Sequence, residues 1–211
     1  MPRRIDYYFS FQSPWAYIGH QQLRRLVETY DIHLTYKPVL LTGLFSETGG
    51  LPLAKRHPAR QHYRLVELQR WRDKRGLDFK LWPKHWPFDA RLADGVVIAA
   101  LAAGLDPEPY VQRAYAAVWE RELDLTQPDV LIELADAAGL PGEKLVAHAG
   151  SDQIRAAYDQ NRQDAIAADV FGSPAYVLDG EVFWGQDRIE LLEDALKSGR
   201  APYRPANRSP I

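Results

Sequence analysis

No cysteine occurs among the 211 residues. That one absence excludes disulfides, thiolate metal ligands and a cysteine nucleophile together, so any thiol chemistry must use a sulfur carried in by a small molecule. An excess of charge of either sign is also missing. With 26 basic residues against 28 acidic ones, the formal net charge of -2 offers no broad field for nucleic acid or an anionic membrane, and neither is expected as a partner. No apolar run comes near the ~20 residues that cross a bilayer. The basic start Met1-Pro2-Arg3-Arg4 leads straight into a strand pattern rather than an apolar signal core, which predicts a cytoplasmic protein. The 6 histidines form no HExxH-type pair, and no metal site is expected. What the chain does have is core-building material: 46% of it is hydrophobic, enough for one compact unit or two closely packed ones.

Periodicity sets the order of elements. Ile5 to Phe11 reads as an aromatic-rich strand, Pro14 to about Tyr30 as an amphipathic helix, and His33 to Val39 as a second strand. Proline suits the first helical turn, where its missing N–H would be unpaired anyway. From Leu40, the turn residues Gly43, Gly49, Gly50 and Pro52 precede a helix from about Pro58 to Arg75, with Tyr63, Val66 and Trp71 among its apolar positions. The stretch Leu81 to Asp89, dense in proline and aromatics, reads as a wall or lid. From Leu92 to about Asp169 nearly everything is helical, punctuated by Gly104, Pro107, Pro128, Gly139 to Gly142 and Gly150. Two short strands follow, Ala175 to Leu178 and Glu181 to Trp184, joined at the hairpin dipeptide Asp179-Gly180. Asp187 is expected to cap a last helix ending near Leu196.

The sum is an α/β chain of β-α-β, a large all-helical insertion, then β-β-α: a thioredoxin-like pattern opened in its middle. Residues 1–42 and 169–197 are expected to form a discontinuous thioredoxin-like domain, with 43–168 as the helical insertion. The tail, 198–211, with Pro202, Pro205 and Pro210, is expected on the surface or without order.

Three motifs stand at the joints of this pattern: Ser13-Pro14, Phe171-Gly172-Ser173-Pro174, and Phe183-Trp184-Gly185-Gln186-Asp187-Arg188. In that order they resemble the glutathione-dependent 2-hydroxychromene-2-carboxylate isomerases and the related kappa-class glutathione transferases, which share a DsbA-like fold. The resemblance runs from about Arg4 to Leu196, and Pro58-Ala59-Arg60, Tyr63 and Leu68-Gln69-Arg70-Trp71 favour its isomerase branch. Redox members of this fold place a Cys-x-x-Cys pair where Ser13 and Ala16 stand, so disulfide exchange is excluded here.

Read alone, Ser13 is a helix N-cap. The resemblance implies that it contacts the sulfur of glutathione, where a hydroxyl donor beside the positive end of a helix favours thiolate over thiol. The two uses are compatible. Ser173-Pro174 would be trans by default; the resemblance implies a cis bond whose preceding residue pairs with the cysteinyl part of glutathione. It further implies that Gly185, Gln186 and Asp187 hold the γ-glutamyl end, Asp187 by receiving its ammonium group, with a plain N-cap as the other reading of Asp187. Arg60 stands where the family can reach the glycyl carboxylate, or is simply solvated. Trp86 is either a face of the substrate pocket or a structural tryptophan between Pro83 and Pro87. Trp15, Tyr17 and Phe11 line the same pocket or fill the core. Some positions depart from the family: Ser46 replaces a lysine able to meet the substrate's acidic group, while Gly50 and Asp89 replace asparagines.

The function implied is glutathione-dependent isomerisation of a conjugated aromatic carboxylate by reversible thiolate addition, within aromatic catabolism. The alternatives are a kappa-like transferase and a non-catalytic glutathione- or ligand-binding protein. A homodimer is implied by the resemblance alone.

Overall fold

Strand β1 (Arg4–Phe9) sends Ile5, Tyr7 and Phe9 into the main core and Tyr8 into a smaller cluster on the other side of the sheet. Successive strand side chains point to opposite faces, so a strand that is apolar on both must be covered on both. The computed structural model, which describes residues 3–205, supplies that cover. Strands β2 (His33–Pro38), β3 (Ala175–Leu178) and β4 (Glu181–Trp184) complete a four-stranded sheet of order β2-β1-β3-β4. β1 and β2 are parallel, with Tyr7 opposite Tyr36, whereas β3 runs antiparallel to both β1 and β4 and sets Tyr176 opposite Tyr7. Helix α1 (Pro14–Thr29) makes the crossover that a parallel pair requires.

The helical insertion comprises α2 (Leu41–Thr48), a short 3-10 turn at Leu53–Lys55, α3 (Pro58–Arg75), α4 (Arg91–Ala102), α5 (Glu108–Trp119), α6 (Pro128–Ala137), α7 (Gly142–Ala149) and α8 (Asp152–Ala167). Helix α2 lies where the glycines predicted only turns. Gly43 is tolerated inside it, and Gly49 ends it in the left-handed region at φ 77°. The insertion packs into the same core as the sheet: Tyr115 and Trp119 of α5 lie among Phe9, Phe11 and Tyr17.

One expectation near the C-terminus is corrected. A single 3-10 turn at Gln186–Arg188 precedes α9 (Ile189–Ser198), so Arg188 and not Asp187 stands at the N-cap, without a side-chain bond to the helix. The tail as far as residue 205 is tied down: Arg200 pairs bidentately with Glu181, and Arg204 donates to the carbonyls of Asp179 and Gly180 at the hairpin turn. Pro210 lies outside the described residues. Among the described residues, no helix is long and apolar enough to cross a membrane.

Candidate active site

The loop Ser10 to Ser13 leaves β1 and enters α1, and the residues around it lace it to a segment 160 positions away. Ser13 Oγ accepts the Ala16 N–H at 3.2 Å, as an N-cap does, and donates to the Ser173 carbonyl at 3.0 Å. Ser173 Oγ in turn accepts the Ser10 N–H at 3.1 Å. The Ser173-Pro174 peptide is cis. Two indoles from the insertion hold the loop from behind, Trp119 Nε1 donating to the Phe11 carbonyl at 3.1 Å and Trp86 Nε1 to the Gln12 carbonyl at 2.9 Å. Backbone groups that would otherwise be orphaned in the interior are thereby satisfied, and the loop has one geometry.

Ser173 opens onto a cavity of about 620 Å³, whose other walls are α3, Trp15 and the segment Trp184 to Arg188. The structure therefore brings Trp15, Arg60, Ser173, Gly185, Gln186 and Asp187 around one space, with Ser13 and Pro174 immediately behind Ser173. Gly185 is required where it stands: its φ is 104°, and a Cβ there would fall 2.5 Å from Asp187 Oδ1. Asp187 pairs with Arg188 at 2.6 Å. The polar end of Gln186 is committed inward, its Oε1 accepting from Arg75 at 3.3 Å.

Other expected residues lie elsewhere. Tyr17 is in the core, its ring against Phe79 and Trp119 and its hydroxyl donating to Glu120 at 3.0 Å, so it is not a pocket wall. Phe11 is fully buried. Trp86 backs the cavity rather than lining it: it is half-buried, and Arg64 lies over its ring at 5.1 Å. Ser46 is exposed on α2, bonded to the Gly43 carbonyl, and Gly50 packs on Phe45; neither lines this cavity. Asp89 borders a separate cavity of about 700 Å³ with Arg91 and Tyr158, which contains no residue of the strand–helix junction.

Beyond Arg60, sequence reasoning missed the cationic lining. Arg56, Arg60 and Arg64 recur every fourth residue, which stacks them along one side of the helix and its entry, and Arg188 joins them from across the cavity. Arg64 is a buried residue of α3, whereas the apolar Tyr63 and Val66 are exposed. Burial, with Arg56 nearby, pushes the Arg64 guanidinium down to about 10. The four-residue arginine spacing was visible in the sequence; the inward turn of Arg64 was not.

Fold and site together define a thioredoxin-like protein in which Ser13 and Ala16 stand at the two positions of the redox cysteines and a basic cavity opens beside them. Residues 4–197 match the model of the DSBA-like thioredoxin domain family, and the chain belongs to that family. It is 27% identical over 198 residues to the 2-hydroxychromene-2-carboxylate isomerase of Sphingobium xenophagum, covering 93% of this chain and 99% of the relative. It is 25% identical to Homo sapiens glutathione S-transferase kappa 1, over 98% of this chain and 96% of that one. A solved structure of a 2-hydroxychromene-2-carboxylate isomerase superposes with a TM-score of 0.79 at 25% identity, over 92% of this chain and 95% of its own.

Proposed function

We propose that this protein is a glutathione-dependent isomerase of a conjugated aromatic carboxylate, of the 2-hydroxychromene-2-carboxylate isomerase type. The observation that carries the reading is the pairing of Ser13, at the positive end of α1, with the carbonyl of a cis Ser173-Pro174 at the edge of a basic cavity. The names of its relatives support it.

The residues present fit glutathione. The cavity volume lies in the range of small-molecule sites, roughly 300–1,000 Å³. The Ser173 backbone offers a strand-like edge for the cysteinyl unit. Asp187 and the turn that holds it suit the γ-glutamyl ammonium and carboxylate. Arg60, without an ion pair among the described residues, suits the glycyl carboxylate. Bound glutathione would supply the sulfur nucleophile that adds reversibly to the substrate and is released unchanged.

The protein's part is to hold that sulfur ionised and to orient both molecules. Ser13 has one hydroxyl hydrogen, which in this structure goes to the Ser173 carbonyl. Turning it toward a thiolate frees that carbonyl to accept a ligand N–H, so one rotation serves both contacts. Trp15 offers an aromatic wall for a planar substrate.

Isothermal titration with glutathione, together with the ultraviolet absorbance of bound thiolate at neutral pH, tests this reading. Binding with a thiolate signal that disappears in Ser13→Ala supports it; no binding overturns it. The transferase reading, supported by the kappa relatives, predicts net consumption of glutathione during turnover, whereas the isomerase returns it.

A further inference from the structure

Arg64 is a cationic group of the cavity that the proposed function does not use. It lines the cavity, yet only 8% of its surface is exposed. Among the described residues its guanidinium makes no hydrogen bond or ion pair, and Nη1 is buried without a partner. A buried cation in this state is costly unless something anionic meets it.

The neighbouring carboxylates are already engaged. Glu67 accepts from Arg70, and Asp187 pairs with Arg188. The other cations of the α3 side differ from Arg64 as well: Arg60 is exposed, and Arg56 donates through Nε to the Leu51 carbonyl. The ring of Trp86 supports the guanidinium plane from one side. That same indole holds the Gln12 carbonyl, one residue from Ser13. Arg64 is thus an unpaired fork at the cavity wall, linked through Trp86 to the loop that carries Ser13, and its planar donors match a carboxylate bidentately.

We propose that Arg64 binds the carboxylate of the substrate and makes the site selective for aromatic acids over neutral analogues. The proposal rests on the glutathione reading, which assigns glutathione's own carboxylates to Arg60 and to the turn at 185–188. It also accounts for the missing lysine at Ser46, since the acid is met from α3 instead of from α2. Arg64 is a specificity-determining residue and takes no part in proton transfer.

The test uses an isosteric pair, 2-naphthoate and 2-naphthamide, titrated into the full chain by tryptophan fluorescence with saturating glutathione. The wild type is expected to prefer the acid by about tenfold or more, as a desolvated charge pair requires. Arg64→Met, which keeps an unbranched apolar stem and removes the charge, should reduce that preference to about twofold or less while leaving the glutathione Kd within about twofold; Arg64→Lys should retain part of it. Without ligand, Arg64→Met should melt at a higher temperature than the wild type, because an unpaired buried charge is removed.

An acid preference that survives in Arg64→Met overturns the proposal. A large loss of glutathione affinity in that variant also overturns it, by giving the carboxylate to glutathione. A lower melting temperature would make Arg64 structural and overturn it too. Failure of the wild type to bind glutathione would sink the glutathione reading instead, while an Arg64-dependent acid preference in the protein alone would still support a carboxylate site.

Discussion

Ser13 carries two loads at once, since its oxygen caps α1 and its hydrogen reaches Ser173. Ser13→Ala should therefore cost about 1 kcal/mol of stability by denaturant unfolding, the usual loss for an N-cap. It should leave glutathione bound but raise the pKa of its thiol, with turnover falling by orders of magnitude. Unchanged turnover would remove Ser13 from the mechanism. Asp94 is a second residue whose setting gives a measurable consequence. It is fully buried, and although the Tyr158 hydroxyl donates to its Oδ2 at 2.6 Å, burial raises its pKa well above the usual carboxylate range, with the nearby Asp89 adding to the rise. A raised folded-state pKa gives stability that is fully present below the unfolded value of about 3.9 and is lost as pH climbs through the folded one. Relative to wild type, Asp94→Asn should gain stability progressively as pH rises between about 4 and 8, since asparagine has no carboxyl to ionise in the interior. A difference between variant and wild type that stays flat over that range would show that Asp94 does not titrate this way.

At the scale of elements, the question is what fastens the insertion to the sheet. Glu108 opens α5 and accepts from Tyr36 of β2, from His20 of α1 at 3.1 Å and from Arg24 of α1 at 3.2 Å. One carboxylate thus joins three elements, and its side chain is only 12% exposed. Removing one member of a buried ionic cluster leaves the others uncompensated, so Glu108→Ala should cost about 3 kcal/mol in chemical denaturation. A loss below about 0.5 kcal/mol, the range of ordinary surface changes, would mean that the cluster does not hold these elements together. The sequence shows Glu108 as a favourable first-turn acid for a helix. Its partners from α1 and β2 come from 72 and more residues away, and no local pattern announces them.

At the scale of the molecule, sheet and insertion share one continuous core, and the cavity lies between α3 of the insertion and the Trp184–Arg188 segment that leads out of β4. A ligand that fits there touches both and binds only the folded chain. Glutathione at a hundred times its Kd should add about 2.7 kcal/mol to unfolding. For a chain of this size that is a rise in Tm of about 5–10 °C. A Tm that glutathione does not move would contradict binding at this cavity.

Period and punctuation in the sequence determined nearly every element, because helices and strands repeat their faces locally; α3 and both hairpin strands keep the predicted bounds, Pro58–Arg75, Ala175–Leu178 and Glu181–Trp184. The missing cysteines likewise determined that no protein thiol does the chemistry. Only the tertiary structure decided which aromatics face the cavity. Trp15 and Tyr17 are two residues apart on α1, yet one faces the cavity and the other packs on Trp119. Two residues turn a helix by about 200°, so which side is core depends on what packs there. The same holds for Arg64, which sequence pattern would place in solvent and which the packing of α3 against Trp86 turns inward. Burial is a property of the assembled elements, and it is burial that sets Arg64 without a partner in the wall of the cavity.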